Sequence, residues 1–322
     1  MPIPTVENEL DGGTLNPGDN PWAPIEELGN VTVFDRTKTA EVVKRLKTAA
    51  VAVTNKVQLP DDVLQRVPEL QLVAVTATGY DVVDTEAAHR LGIVVSNVPA
   101  YGTDSVAQFA FANILELCHR VSLHDTAVRD GQWDSCRAFS FWNTPQVELA
   151  GQTLGIIGFG RIGRRTGEIG HAFGMRVLAC DEHQNDPPSY QPFAWASSAE
   201  IAETADVVVL HCNLTPHSKG IISRDFLSRM KPTAFFINPA RGGLVDEAAL
   251  ANSLNRDLIA GAAVDVVSSE PIKQENPLLS AKNCIITPHM AWTTLAARKR
   301  LMQATAENIR CFLAGTPVNV VN

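Results

Sequence analysis

Between residues 31 and 99, short apolar runs alternate with segments in which apolar residues recur every three or four positions. Residues 31–35 (VTVFD), 50–54 (AVAVT), 70–77 (LQLVAVTA) and 93–99 (IVVSNVP) read as strands. Residues 40–47, 61–67 and 85–91 carry helical spacing. Strands buried on both faces show near-continuous apolar runs, so this alternation predicts a parallel sheet covered by helices. The first thirty residues fit less well. The two prolines of MPIP cannot donate to a ladder and argue against a strand there.

Residues 105–129 form one long helical pattern. The stretch GQWDSCRAFSFWNTPQVELAG that follows is aromatic, irregular and hard to bury as one element, and it reads as an exposed arm. Alternation then resumes. Strands are expected at 154–157, 176–180, 206–211, 234–238, 261–266 and 284–287. Helices are expected at 161–173, after Ser197 with Glu200 three positions on as a capping box, at 246–254, and at 293–313. Six strands with helices between them suit a doubly wound dinucleotide domain. The chain therefore holds two α/β units, with no internal repeat.

Composition narrows the partners. At 322 residues the chain is long enough for two domains, and 45% hydrophobic with 19% charged residues is ordinary for a globular protein. Twenty-seven basic against 35 acidic residues give a formal charge of −8. That argues against nucleic acid or an anionic membrane as partner. No apolar run approaches the roughly 20 residues of a membrane span. The start lacks the basic and apolar regions of a signal peptide. Six cysteines without a C-x-x-C pair read as reduced thiols of a cytoplasmic protein, with no metal site expected.

LGIIGFGRIG holds Gly158, Gly160 and Gly163 in G-x-G-x-x-G spacing, after an expected strand and before an expected helix. In that setting the first glycine permits a tight turn. The second lets backbone approach a pyrophosphate, and the third lets helix and strand pack closely. Asp181 ends the next strand, 181 − 163 = 18 residues past the third glycine, near the spacing of a ribose-binding acid. A carboxylate there would repel the extra phosphate of NADP, and Glu182 and His183 follow instead of an arginine. The expected cofactor is NAD.

Arg241 follows FFINPA, Glu270 follows GAAVDVVSS, and His289 follows CIITP, each at the end of an apolar run. Ligands of open α/β sheets bind outside the carboxyl ends of the strands. Arginine can hold a carboxylate with two hydrogen bonds. Histidine passes protons near neutral pH, and a glutamate beside it would stabilise the imidazolium. The three suit reduction of a 2-oxo acid, yet each residue type is also common in ordinary loops, so residue types alone leave the assignment open.

NPARGGLVDEAAL, GAAVDVVSSEP, ITPHMAW, HCNLTPHSKGII, TATGYDVVD and NVPAYGTDSVAQ, with GFGRIG, resemble segments of the D-2-hydroxyacid dehydrogenases. Within that family the resemblance is to the glycerate dehydrogenase (hydroxypyruvate reductase) branch, and it covers residues 11–322. The resemblance implies that Arg241 and His289 bind substrate and that both act with Glu270 in catalysis. It implies that the backbone at Ala77, Thr78 and Gly79 grips the substrate carboxylate. Val106 and Asp265 would lie beside the nicotinamide, and Arg161 and Ile162 over the pyrophosphate. Ala240, Cys212, Asn213, Leu214 and Thr215 would line the rest of the cofactor site.

It further implies a homodimer and a Rossmann domain inserted into a flavodoxin-like substrate domain. The substrate domain would hold 1–101 and 294–322, and the dinucleotide domain 102–293. Hinges near 97–102 and 291–294 would close a cleft and exclude water. Phe141 and Trp142, in the arm at 133–145, are candidates to shape a neighbour's pocket or to pack a dimer. Relatives with this architecture also include formate dehydrogenases, which lack the Glu–His pairing, phosphite dehydrogenases, and NADH-sensing corepressors that bind peptides. The sequence given ends at Asn322 without a long polar tail and shows no basic patch, which favours an enzyme over a corepressor.

Overall fold

The computed structural model describes residues 6–322, with side chains from Asn8 on; residues 1–5, which carry the prolines of MPIP, lie outside the described residues. The chain divides into two compact units, one formed by residues up to 102 with 292–322, the other by 103–291.

In the first unit five strands form one parallel sheet: β1 (Val6–Glu9), β2 (Asn30–Val33), β3 (Val51–Thr54), β4 (Leu72–Val75) and β5 (Val94–Ser96), in the order β2-β1-β3-β4-β5. This is the flavodoxin-like strand order. Strands β3 and β4 are buried along their whole length, because helices cover both sheet faces. On one side α3 (Val42–Leu46), α4 (Asp61–Leu64) and α5 (Thr85–Arg90) supply Val42, Leu46, Val63, Leu64 and Ala87 to the core. Two short helices, α1 (Gly12–Leu15) and α2 (Ala23–Glu26), follow β1. Asp84 caps α5 by accepting from Ala87 N at 2.9 Å.

β1 is a correction to the sequence reading, which favoured no strand in the first thirty residues. Its sequence, VENE, carries no apolar pattern, yet it lies between β2 and β3. Asn8 and Glu9 are buried in consequence. Position in the sheet, not side-chain type, makes this segment a strand.

The second unit carries seven parallel strands: β6 (Thr153–Ile157), β7 (Arg176–Cys180), β8 (Phe193–Trp195), β9 (Val207–Leu210), β10 (Phe235–Asn238), β11 (Gly261–Val264) and β12 (Cys284–Ile286). Their order is β12-β11-β10-β9-β6-β7-β8. The direction of winding reverses between β6 and β9, which is where such sheets open a ligand crevice. Long helices α6 (Thr103–His119) and α8 (Arg161–Ala172) cover one face, with α7 (Val121–Arg129) following α6. On the other face α9 (Ser198–Thr204), α10 (Arg224–Arg229) and α11 (Glu247–Asn255) pack over a core centred on Phe236, Ile201 and Leu250.

Two expectations change here. A seventh strand, β8, forms at the sheet edge from three half-buried residues just after Pro192, too short a run to stand out. The expected single helix over 105–129 breaks at Arg120, whose φ of 47° is left-handed. Val147 N donates to Cys118 O at 3.2 Å, which takes a carbonyl that a continuing helix would use.

The chain returns to the first unit with α12 (Leu295–Leu313), capped by Thr294. Met302, Ala306 and Ile309 of α12 bury against Val51, Val53 and Leu72. Arg298 holds Asp19 with two hydrogen bonds of 2.6 and 2.7 Å.

Candidate active site

The glycine loop sits at the reversal point of the second sheet. Gly158 has φ of +94°, and a Cβ there would stand 2.3 Å from Cys212 N. The loop after β9 therefore lies directly against the loop after β6, and a side chain at 158 would part them. At Gly163 a Cβ would stand 2.1 Å from Gly158 O, so this residue sets how closely α8 meets β6.

Gly160 differs: a Cβ there would meet nothing within 4 Å. It is the N-cap of α8, and no side chain caps that end. Open space thus lies where the helix presents backbone N–H groups and its partial positive charge. Arg161 and Ile162 form the first turn beside it. At the end of β7, Asp181 Oδ2 accepts from Phe159 N at 2.5 Å and Oδ1 from His183 N at 2.9 Å. Its carboxylate is fixed at the rim of the glycine loop. These features fit a dinucleotide: a phosphate over the α8 N-terminus and a ribose at Asp181.

Cys212, Asn213, Leu214 and Thr215 form the loop after β9. Ser218 Oγ folds it by donating to Asn213 O at 2.7 Å and accepting from Thr215 N at 2.8 Å. A Cβ at Gly243 would stand 2.9 Å from Leu214, so this loop also touches the loop after β10. Burial pushes the Cys212 thiol up to about 11, so it stays protonated near neutral pH. Burial likewise pushes the His211 imidazole down to about 3, and its Nε2 lies 2.8 Å from Thr166 Oγ1 on α8.

Arg241 follows β10, its Nη1 donating to Ala240 O at 2.8 Å. Asn238 shapes this turn, its Oδ1 accepting from Ala240 N and its Nδ2 donating to Arg241 O, both at 3.0 Å. At Gly242 a Cβ would stand 1.9 Å from Val267 C. The backbone carrying Arg241 is thus pressed against the backbone leading to Glu270.

Asp265, just past β11, is buried and organises the loop after β12. Its carboxylate accepts from Thr287 Oγ1 at 2.6 Å, Met290 N at 2.9 Å and Ala291 N at 2.8 Å. His289 sits within that loop at a left-handed φ of +56°, its N–H donating to Asp265 O at 2.8 Å and Thr287 O at 3.0 Å. A non-glycine residue in this region is strained and persists where the surroundings over-determine it. His289 Nδ1 lies 2.7 Å from Glu270 Oε2, and Glu270 Oε1 accepts from Val267 N at 3.2 Å. Ser105 Oγ donates to Ala291 O at 2.7 Å, which ties the start of α6, and with it Val106, to the same loop.

The second unit thus brings Arg241, Glu270, His289 and Asp265 onto neighbouring loops at the carboxyl ends of β10, β11 and β12. Ala77, Thr78 and Gly79 belong to the first unit, after β4. There Thr78 Oγ1 donates to Val98 O at 3.0 Å and Asn97 Nδ2 to Thr78 O at 2.7 Å. Sequence reasoning did not single out Thr287, Asn238, Ser105 or His211. Among the described residues no cluster of His, Cys, Asp or Glu could hold a metal ion, and no helix is long and apolar enough to cross a membrane.

Residues 111–291 match the family described as D-isomer specific 2-hydroxyacid dehydrogenase, NAD binding domain. The chain belongs to this family. It is 46% identical over 316 residues to a hydroxypyruvate reductase of Blautia hydrogenotrophica, covering 97% of this chain and 98% of that protein. Its fold matches D-lactate dehydrogenase of Aquifex aeolicus complexed with NAD and lactic acid. That match has a TM-score of 0.84 and 27% identity, over 97% of this chain and 96% of the other. It also matches the NADPH-dependent glyoxylate/hydroxypyruvate reductase of Sinorhizobium meliloti in complex with NADP and malonate. There the TM-score is 0.83 at 27% identity, over 99% and 97% of the two chains. The chain is therefore an oxidoreductase of a family that acts on small 2-hydroxy and 2-oxo acids with a nicotinamide dinucleotide.

Proposed function

We propose that this enzyme reduces a small 2-oxo acid, such as hydroxypyruvate or glyoxylate, with NADH, and that His289 is the proton donor. The observation that carries the reading is the 2.7 Å contact of His289 Nδ1 with Glu270 Oε2 at the carboxyl end of the sheet. A carboxylate on Nδ1 fixes the orientation of the ring, leaving Nε2 to deliver the proton. Arg241 holds the substrate carboxylate, and the backbone from Ala77 to Gly79 is assigned the same task. The cofactor, when bound, supplies the hydride that adds to C2. His289 gives its proton to the carbonyl oxygen, so the 2-oxo acid becomes a 2-hydroxy acid.

The cofactor would be held by Gly158, Gly160, Arg161, Ile162 and Gly163 at its phosphates and by Asp181 at a ribose. Cys212, Asn213, Leu214, Thr215 and Ala240 would line its flank, with Val106 and Asp265 beside the nicotinamide. Asp181 favours NAD over NADP, because a carboxylate in that place repels a 2′-phosphate.

We further assign a homodimer in the cytoplasm. Of the arm aromatics, Trp142 is 68% exposed and Phe139 94%, while Phe141 is half-buried beside the His124 ring of α7. Large apolar side chains in such number favour a protein partner over water. A monomeric sedimentation profile would overturn the dimer.

The first test is NADH consumption with hydroxypyruvate, glyoxylate and pyruvate, beside an NADPH control. Fast NADH-dependent turnover of hydroxypyruvate is expected. His289→Ala is expected to lose about 100- to 10,000-fold in turnover while NADH still binds. Full activity in that variant would overturn the assignment. Tight NADH binding with no turnover of any 2-oxo acid would point to a sensing role or to phosphite oxidation.

A further inference from the structure

Glu270 stands on the loop from residue 267 to 276, between the end of β11 and the 3₁₀ turn Pro277–Ser280. Such a loop has no ladder to hold it. One side chain outside it does so. Glu247, in the first turn of α11 and half-buried, accepts from Ser268 N at 2.6 Å and Ser268 Oγ at 2.8 Å. Its other contact is Asn276 Nδ2 at 2.9 Å. A single carboxylate therefore grips the loop at both ends, with Glu270 between them.

Two more features confine the loop. Asn276 also accepts from Leu278 N at 3.0 Å, so its amide is held on both sides. The backbone of Val267 and Ser268 lies so close to Gly242 that a Cβ there would stand 1.9 Å from Val267 C, which leaves the loop no room on the Arg241 side. Glu270 then reaches His289 from a fixed base.

We propose that Glu247 is a positioning residue for the reduction: it sets the Glu270 carboxylate against His289 by anchoring both ends of the loop that bears it. This rests on the reading of His289 and Glu270 as the proton-donating pair. A carboxylate suits the task because it accepts all three hydrogen bonds and donates none. Glutamine would turn an NH₂ group toward donors of the loop. Positioning errors near 1 Å can lower turnover by about 100-fold.

The test uses the full-length enzyme with hydroxypyruvate and NADH, reading kcat and the NADH Kd separately. Glu247→Gln is expected to lower kcat by about 10- to 100-fold and to leave the NADH Kd unchanged. Glu270→Gln is the reference, and the double variant is expected to be no slower than Glu270→Gln alone, since both act through one carboxylate. Wild-type kcat in Glu247→Gln beside an impaired Glu270→Gln would overturn the proposal alone. Multiplying defects in the double variant would do the same. Wild-type kcat in Glu270→Gln would overturn the parent reading. Ser268→Ala keeps the test open if Glu247→Gln fails to fold. It removes one of the three bonds and is expected to show a smaller loss of kcat with the same NADH Kd, and an unchanged kcat would overturn the proposal.

Discussion

Arg241, Glu270 and His289 stand out in the sequence because each is a polar residue at the end of a buried run, where an α/β sheet collects its ligands. Glu247, Thr287 and Asn238 do not stand out. In the sequence Glu247 is an ordinary acid of a helix first turn, and its partners Ser268 and Asn276 are 21 and 29 residues away. Gly242 shows the same limit. Its neighbours along the chain give no reason for a glycine, whereas the folded backbone leaves a Cβ 1.9 Å from Val267 C. Gly242→Ala is expected to separate the Arg241 and Glu270 loops and to cut kcat by on the order of 100-fold. Steady-state kinetics with hydroxypyruvate checks this, and unaltered kcat would show that the loops can move apart without loss.

Among the elements, the long apolar runs were readable because parallel strands are buried on both faces and need no partner-specific pattern. β1 was not, since VENE becomes a strand through its two neighbours in the sheet. Nor was the break between α6 and α7, where no glycine or proline marks Arg120 and the stop comes from Val147, 29 residues beyond Cys118. The meeting of β6 and α8 was readable from G-x-G-x-x-G, and its tightness is testable. Gly163→Ala would place a Cβ 2.1 Å from Gly158 O. The helix must then shift, and NADH affinity is expected to fall by about tenfold or more, or about 1.4 kcal/mol. Fluorescence titration of NADH measures this; an unchanged Kd would mean that the helix start does not hold the phosphates.

At the scale of the whole molecule, the two units carry opposite pH sensitivities. In the first, burial and the nearby Asp11 hold the Glu9 carboxyl well above its usual 4.5. The folded form keeps a proton that the unfolded chain releases, so stability from Glu9 is full below about pH 4.5 and is lost as pH rises toward the folded value. In the second, His211 stays neutral down to about 3 against 6.5 when unfolded. Its contribution is full above pH 6.5 and is lost as pH falls toward 3, with a slope of at most about 1.4 kcal/mol per pH unit. Calorimetry across pH is expected to show Glu9→Gln raising the melting temperature on the alkaline side and His211→Asn flattening the acid side. Parallel curves for either variant and the parent would refute the linkage at that residue. The sequence by itself determined the fold class, the glycine loop and the polar residues at strand ends, because burial pattern and local backbone demands are written in neighbouring residues. The tertiary structure alone decided the place of β1 between β2 and β3, the α6–α7 break, the buried carboxylate of Asp265 and the grip of Glu247. Each of these depends on groups that only folding brings within hydrogen-bond reach.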